Sequence, residues 1–530
     1  MASNDSKVAM PTLQHTKISE IPGIHNELYQ TFHTQKTRPL EYRLTQLRKL
    51  WWALKDAEPL ILEACLRDLG KPHFETFLTE LGWCLNDIIF ICENLEKWMR
   101  DEKPADIPLM HWAMKPRVRK EPLGVVLILG AYNFPVQLQV GPLIGAIAAG
   151  CAAVLKPSES SPATAAVLEQ AINNALDTTS YRVVNGSIPE STALMDLKWD
   201  KIFYTGGEVV GKIISKKAAE TLTPVTLELG GKNPAIVTAN ADPRIAARRL
   251  LWAKLLNAGQ VCVSQNYILV DRGVLPALVE EFKIALKTFF PGGIATSPDY
   301  ARIVNERQFL KLKKMLDSST GKILAGGSMD QATRFIEPTL VQVDNPEDSM
   351  LIDESFGPLI PILPVTDLEE AIRIANQIDP TPLGLYPFGS KSEIKRILEA
   401  TRSGGVSVND GFYHASISSL EFGGVGSSGQ GAYRGKASFD TFTHRRAITT
   451  TPGWAEMLLD LRYPPYAGKI SKLQALTDKK PNFGRDGMVK PRNALVFLLM
   501  LAARTPVAAL GRWLALAAAV AVLRSSYARL

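Results

Sequence analysis

The chain has 530 residues, an apolar fraction of 46% and a charged fraction of 21%. That length exceeds what one hydrophobic core supports, so two large domains with appendages are expected, and the composition excludes disorder over most of the chain. The net charge of +7 is small for the length; it makes no case for nucleic acid and leaves room for a weak attraction to anionic membrane surfaces. Five cysteines, at positions 65, 84, 92, 151 and 262, lack CxxC spacing and leave one over in any pairing, which fits a reducing compartment. The seven histidines include no HExxH, and no metal site is expected.

Residues 1–20 are polar, carry Asp5 and contain no apolar h-region, so they read as a flexible arm and not as a signal peptide. Leu40, Leu44, Leu47, Trp51 and Leu54 recur at alternating steps of four and three, the stripe of an amphipathic helix, with Trp51 and Trp52 read as core. A second helical stretch runs from Glu75 to Trp98, and mixed Pro, Lys and Arg from Lys103 to Pro122 predict an extended excursion. From Gly124 the rhythm changes. GVVLILG, AAVLKP, YRVVNG and KIFYTG each fit a buried strand, with helices at Leu143–Ala149 and Pro162–Leu176 between them. This alternation predicts an α/β fold with a parallel, right-handed sheet covered on both faces. Ligands on such sheets bind beyond the carboxyl ends of the strands, which draws notice to Asn133, Lys156, Glu159 and Gly206.

TGGEVVGKI nearly fits two phosphate-binding templates and satisfies neither. Gly206, Gly207 and Gly211 have the wrong spacing for G-x-G-x-x-G, and Ile213 stands where a P-loop needs Ser or Thr to ligate magnesium. PVTLELGGKNPAIV then offers a carboxylate at Glu228 before paired glycines, and LLNAGQVCV offers a thiol at Cys262 just past a helical pattern over Pro243–Ala258. A thiol is intrinsically a strong nucleophile, and a carboxylate beside it suits a base. Taken singly, Cys262 reads equally as a buried small hydrophobe and Glu228 as a solvated or capping residue. Further strands and helices run to about Ala400, including DESFGPLIPI, and the Gly- and Ser-rich segment LEFGGVGSSGQGAYRGKASFDTFTHRR follows.

Together VTLELGGKNP, NAGQVCV, FYTGGEVVGK, DESFGPLIPI and the Gly-rich segment closely resemble the aldehyde dehydrogenase superfamily, in its class 3 branch of fatty aldehyde dehydrogenases and fungal enzymes for long apolar or apocarotenoid aldehydes. The resemblance spans about Arg38 to Arg446. It implies the aldehyde dehydrogenase fold, with a Rossmann-like parallel-sheet cofactor domain, an α/β catalytic domain and a small β oligomerisation arm; beyond the family's catalytic body the residues themselves predict an apolar C-terminal helical tail. The expected division is an arm (1–20), an NAD(P)-binding domain (21–228, with an oligomerisation excursion near 103–122) and a catalytic domain (229–413), then an active-site loop and oligomerisation arm (414–450), a linker (451–490) and a membrane-associating tail (491–530), the arm and the tail resting on their own composition.

By the same resemblance Cys262 is the nucleophile, Glu228 the general base and Asn133 the oxyanion donor, although Asn133 before Phe134-Pro135 also reads as a turn residue. Lys156 and Glu159 are assigned to the adenosine ribose, Gly206 and Gly211 to the pyrophosphate turn, and Glu354 and Phe356 to the nicotinamide end. Phe356 reads alternatively as core. Glu159 would repel a 2′-phosphate, which tilts the cofactor towards NAD while leaving NADP admissible. His414 stands where relatives carry a His near the active-site mouth, a structural histidine being the equal alternative. Glu421 departs from a Pro common in relatives, which puts local loop geometry in doubt. The implied enzyme oxidises apolar aldehydes to acids through a Cys thiohemiacetal and thioester, as a homodimer. The rival readings are an inactive membrane scaffold, a dehydrogenase for medium-chain or aromatic aldehydes, a P-loop nucleotidase and a Cys protease using His414; retention of Cys262, Glu228 and Asn133 argues against the first.

Asn493 to Leu523 is apolar but interrupted by Arg504 and Arg512. On the insertion scale Leu495 to Leu499 and Leu501 contribute roughly −0.3 to −0.6 kcal/mol each, while a central Arg costs about 2.5 to 3.5 kcal/mol. A straight span is therefore marginal, and a hairpin around Thr505-Pro506 or an interfacial helix with snorkelling arginines is its equal, a soluble, purely structural tail helix being the remaining alternative. The expectation is a membrane-associated enzyme whose active domain faces the cytosol.

Overall fold

The computed structural model describes residues 10–479, 481–489 and 513–514. Among them no helix is long and apolar enough to cross a membrane. The tail expected over 491–530 lies, but for Trp513 and Leu514, outside the described residues.

Two compact units emerge, one of residues up to Pro104 with Arg117–Ile448, the other of Ala105–Pro116 with Thr449 onwards. The second contains a short helical turn at Leu109–Met114, within the stretch expected to be extended, and, where a linker was expected, helical turns over 453–462 and the helix Ile470–Thr477.

In the first unit, residues 10–20 depart from the flexible arm expected of them. The Thr16 N–H donates to the Asn185 carbonyl at 2.9 Å, its hydroxyl accepts from the Asn185 N–H at 3.1 Å, and Met10 packs on a core cluster. The leucine stripe forms the helix Leu40–Asp56, and Pro59 opens the next, Glu58–Leu69, as a proline in the first turn can. Trp51 packs against the core as expected, but Trp52 is 60% exposed. Successive helical residues point about 100° apart, and that step carries Trp52 off the face that Trp51 shares with Leu44, Leu47 and Leu54. The expected second helix breaks into His73–Thr76, a π-helical turn at Phe77–Leu81 and Gly82–Met99.

A six-stranded sheet follows in the order Gly429–Gln430, Val225–Glu228, Lys201–Thr205, Val125–Leu129, Ala152–Lys156, Tyr181–Val183, parallel except for its first strand. Its central strands have apolar interiors, VVLIL, AAVL and IFY, because both faces are covered. Val126, Ile128 and Phe203 join one cluster with Leu47, Ile91 and Ile144, while Val125, Leu127 and Ile202 join another with Leu28, Trp199 and Ile214. The strand order reverses between Val125–Leu129 and Lys201–Thr205, which opens a crevice beyond their carboxyl ends.

The second sheet has seven strands, ordered Gly405–Val406, Gly384–Phe388, Pro234–Val237, Tyr267–Asp271, Leu359–Val365, Thr339–Gln342, Lys322–Ala325. Only the last of these runs antiparallel to its neighbour. A separate two-stranded ribbon pairs Arg117–Pro122 with Thr443–Ile448, so the two stretches expected to build an arm are joined to each other.

The helix Pro243–Leu255 leads into the segment bearing Cys262, and Asp242 caps it by accepting from the N–H groups of Arg244 at 2.9 Å and Ile245 at 3.1 Å. Asp242→Ala should cost about 1 kcal/mol by stranding those donors. A lowered unfolding midpoint in a denaturant titration with unchanged turnover is expected; an unchanged midpoint would show that the cap is dispensable.

Candidate active site

Cys262 is delivered by an unusual backbone. After Leu255 the chain passes through three residues of positive φ, Asn257 (50°), Ala258 (50°) and Gly259 (76°). Left-handed backbone costs a residue with a Cβ roughly 1–3 kcal/mol, so such a run persists only where its surroundings over-determine it. Here they do. The Asn257 N–H donates to a Glu75 carboxylate oxygen at 2.8 Å, and its side-chain amide donates to the carbonyls of Asn133 at 2.8 Å and Gln260 at 3.2 Å. The Gln260 side chain donates to Asn257 and Arg302 carbonyls and accepts from the Val304 N–H, each at 3.0 Å. Gly259 is required as glycine, since a Cβ there would lie 2.3 Å from the Gly357 carbonyl oxygen. Beyond the thiol, Asn233 donates to the carbonyls of Cys262 at 2.7 Å and Ser264 at 2.9 Å, and the Tyr386 hydroxyl donates to the Val263 carbonyl.

The expected site residues converge. Asn133, Lys156, Glu159, Gly206, Glu228, Cys262, Glu354 and Phe356 all line one cleft of about 850 Å³ at the strand-order reversal. Asn133 is 2% exposed and donates one side-chain N–H to the Gln260 carbonyl at 3.0 Å. Lys156 pairs with Glu159 at 3.0 Å. Burial alone would raise the Glu159 carboxyl, but its own backbone N–H and the Lys156 ammonium outweigh burial and hold it below the usual range. Gly206 and Gly207 precede the helix Glu208–Ala219, whose N-terminus carries no side-chain cap. Glu354 presses so closely on Gly230 that a Cβ there would lie 2.2 Å from a carboxyl oxygen, and Phe356, at φ 53°, meets the Tyr132 ring edge-on. An ion pair, open helix N–H groups and a buried carboxyl spread along one cleft suit a dinucleotide.

Two expected residues are placed elsewhere. Gly211 lies buried inside its helix, where a Cβ would come within 3.0 Å of Leu229, so its smallness serves helix–strand packing and it does not line the cleft. His414 is stacked between Tyr386 and Phe422 and bonded through Nδ1 to the Ser407 hydroxyl at 2.8 Å; burial pulls its pKa down to about 4. It lines neither the cleft nor the chamber described next.

That chamber was not legible in the sequence. It is small and predominantly apolar, walled by Trp83, Phe134, Leu138, Leu229, Phe412 and Phe422, with Thr79, Gln137, Tyr433 and Arg434 among its polar members. Thr205, Glu228 and Cys262 line both spaces. Thr205 stands at the end of its strand, where the rule that singled out Gly206 reaches it as well. Both Glu228 oxygens are buried and have no hydrogen-bond partner among the described residues, and burial raises its carboxyl well above the usual range. Cys262 keeps some contact with the cleft, yet burial, then the Glu354 and Glu228 carboxyls, push its thiol up to about 12. Glu354 itself is pushed up to about 7 by burial, partly countered by Lys311 and the Gly231 N–H.

The model of the aldehyde dehydrogenase family matches residues 9–448. The chain belongs to that family. It is 51% identical over 485 residues to the beta-apo-4'-carotenal oxygenase of Neurospora crassa, covering 91% of each chain. To the Gibberella fujikuroi protein of the same name it is 48% identical, over 99% of this chain and 98% of that one. Aldehyde dehydrogenase family 3 member A2 of Mus musculus is 42% identical, over 87% of this chain and 95% of its own. Among solved structures, substrate-bound AldH of Staphylococcus aureus superposes with a TM-score of 0.84 at 40% identity, covering 86% of this chain and 99% of that one. The chain is thus an aldehyde-oxidising enzyme of a family that uses NAD or NADP.

The raised Cys262 thiol gives a direct test in the free enzyme. Only thiolate is alkylated, so below the thiol pKa the rate of iodoacetamide capture at Cys262, followed by peptide mass spectrometry, should climb about tenfold per pH unit. From pH 8 to 10 no plateau is expected. Glu354 is ionised in that range, and Glu354→Gln removes a negative charge near the sulfur, lowering the thiol pKa and speeding capture at pH 8. A plateau below pH 9, or a slower Glu354→Gln variant, would contradict this electrostatic account.

Proposed function

We propose that the enzyme oxidises long apolar aldehydes, fatty or apocarotenoid, to carboxylic acids, with Cys262 as nucleophile, Asn133 as oxyanion donor and Glu228 as general base. The observation that carries this reading is that Cys262 and Glu228 line both a wide cleft with polar anchors and a small apolar chamber. The reacting groups stand where a substrate and a dinucleotide would meet. Lys156 and Glu159 would hold the adenosine ribose, Gly206 the pyrophosphate, Glu354 and Phe356 the nicotinamide end. Glu159 disfavours a 2′-phosphate by like charge, so NAD is the preferred cofactor and NADP the secondary one. When bound, the cofactor supplies the hydride acceptor and a ring of positive charge, opposite in sign to the carboxyls that raise the thiol.

The Cys262 sulfur attacks the aldehyde carbon and forms a thiohemiacetal. Asn133, whose amide has a second N–H beyond the one given to Gln260, stabilises the oxyanion together with the Cys262 backbone N–H. Departure of hydride from the former aldehyde carbon leaves a thioester on Cys262. Glu228 then takes a proton from water, which attacks the thioester and releases the acid and the thiol. Its unpartnered oxygens leave it free to bind that water, and burial makes it a stronger base once ionised.

Cys262→Ala should abolish turnover while leaving NAD binding intact, read by reduced-cofactor absorbance and by calorimetry. Glu228→Gln should slow release of the acid more than hydride departure, so that a pre-steady-state burst of reduced cofactor appears or grows. Wild-type turnover in the first variant, or loss of the burst in the second, would overturn these roles.

The apolar chamber walls, the Neurospora crassa and Gibberella fujikuroi relatives named for beta-apo-4'-carotenal, and the apolar run after Asn493 support lipid-partitioning substrates and a membrane-held homodimer with its active domain in the cytosol. Deleting residues 493–530 should move the protein from membrane pellet to supernatant and spare turnover of a short soluble aldehyde. Full-length protein that stays soluble without detergent and fails to bind liposomes would defeat the tethering. Higher kcat/KM for a medium-chain than for a long-chain or polyene aldehyde would defeat the substrate class.

A further inference from the structure

The segment between Gly70 and Gly82 belongs to none of the motifs that carry the family resemblance, yet it touches both the loop of Asn133 and the loop that leads to Cys262. Lys71 is fully buried. Its ammonium donates to a Glu80 carboxylate oxygen at 2.6 Å and to the Asn133 carbonyl at 3.0 Å, and sits 4.3 Å from the centre of the Phe134 ring. The other Glu80 oxygen accepts from the N–H groups of Val136 at 2.7 Å and Gln137 at 3.2 Å, capping the helix Gln137–Ala149, which the chain enters a few residues after Asn133. Glu75, nine-tenths buried or more, accepts from the Asn257 N–H at 2.8 Å. The π-helical turn at Phe77–Leu81 follows Glu75, carries Glu80 itself and puts Thr79 in the wall of the chamber.

Two loops are thereby gripped from one side. The Asn133 carbonyl takes a second donor, the Asn257 side-chain amide, so Lys71 and Glu75 act on groups that are bonded to each other. Removing one partner of a buried ion pair leaves the other charge uncompensated, and π-helical turns recur at functional sites.

We propose that Lys71, Glu75 and Glu80 form a positioning clamp that sets the distance between the Asn133 amide and the Cys262 sulfur, an inference that rests on the roles given to Asn133 and Cys262 above. None of the three touches the reacting atoms. Their contribution is expected in the step that develops an oxyanion and not in the reactivity of the thiol as such.

The test is a double-variant cycle in the full-length enzyme. Asn133→Ala should lower kcat by about a hundredfold, the usual scale for an oxyanion donor. Lys71→Met, which keeps the length of the side chain and removes its charge, should lower kcat about tenfold or more. NAD binding and the iodoacetamide capture rate at Cys262 should both stay within about threefold of wild type. The decisive result is the Lys71→Met/Asn133→Ala variant, which should be no slower than Asn133→Ala alone, because a clamp has nothing to position once the amide is gone. Losses that multiply would overturn the clamp and leave the Asn133 role standing. Wild-type kcat in Asn133→Ala would instead overturn the Asn133 role. Should Lys71→Met fail to fold, Glu75→Ala and Glu75→Gln decide. Ala should lower kcat non-additively with Asn133→Ala, and Gln, which retains a carbonyl acceptor for the Asn257 N–H, should restore kcat to within about threefold. Unaltered kcat in Glu75→Ala, or loss without rescue by Gln, would overturn the proposal.

Discussion

The left-handed run Asn257–Gly259 is the constraint on which the site depends. Without it the helix Pro243–Leu255 would carry its direction onward; with it the chain turns and presents Cys262 to the space between two cavities. Strain of this kind is stored only where packing and hydrogen bonds leave no alternative. The bonds come from remote parts of the chain: Glu75 lies 182 residues away from Asn257, and the Asn133 carbonyl 124. The nucleophile is therefore positioned by the first sheet and its covering helices as much as by the catalytic loop. The fold of one half becomes a condition for the chemistry of the other.

Burial works against each reacting group and for the reaction as a whole. A thiol pushed up to about 12 and a carboxyl with no partner are poor as free reagents. Both are, however, poised to respond strongly to any charge brought near, since a low-dielectric site screens little. The same enclosure that keeps Cys262 protonated in the free enzyme limits stray alkylation or oxidation of a nucleophile that would otherwise be exposed. Glu354 adds to this state: it raises the thiol, and its own pKa of about 7 makes that effect depend on pH near neutrality.

Much of this was readable from the residues. Runs such as GVVLILG and KIFYT have unbroken apolar interiors, VVLIL and IFY, because helices cover both faces of the sheet, and such runs mark strands whatever the family. The rule that ligands gather beyond strand ends led to Asn133, Lys156, Glu159 and Gly206, which line the cleft. At Gly211 the packing takes the residue out of the cleft, and at His414 it supports the structural alternative over the place at the active-site mouth. In both cases the residue type fitted a site, while the side-chain direction, fixed by the helix Glu208–Ala219 and by the stack of Tyr386 and Phe422, took it into packing. Trp52 fails for a related reason, since a stripe identifies a face and not the residue beside it.

Lys71, Glu75 and Glu80 were beyond reach for a different cause. Their partners are mostly backbone atoms, the carbonyl of Asn133 and the N–H groups of Val136, Gln137 and Asn257. A backbone group leaves no trace in residue type, so no pattern in the sequence marks the contact from either side. The π-helical turn compounds this, because it shifts Thr79 and Glu80 off the phase that an unbroken α-helix from Glu75 to Trp98 would give them. Periodicity would place Glu75 and Glu80 nearly 140° apart on an ideal helix, as five steps of about 100° require. The wider turn brings five residues close to a full rotation, so both carboxylates can reach inward from one segment, one to each of the loops that carry the thiol and the amide.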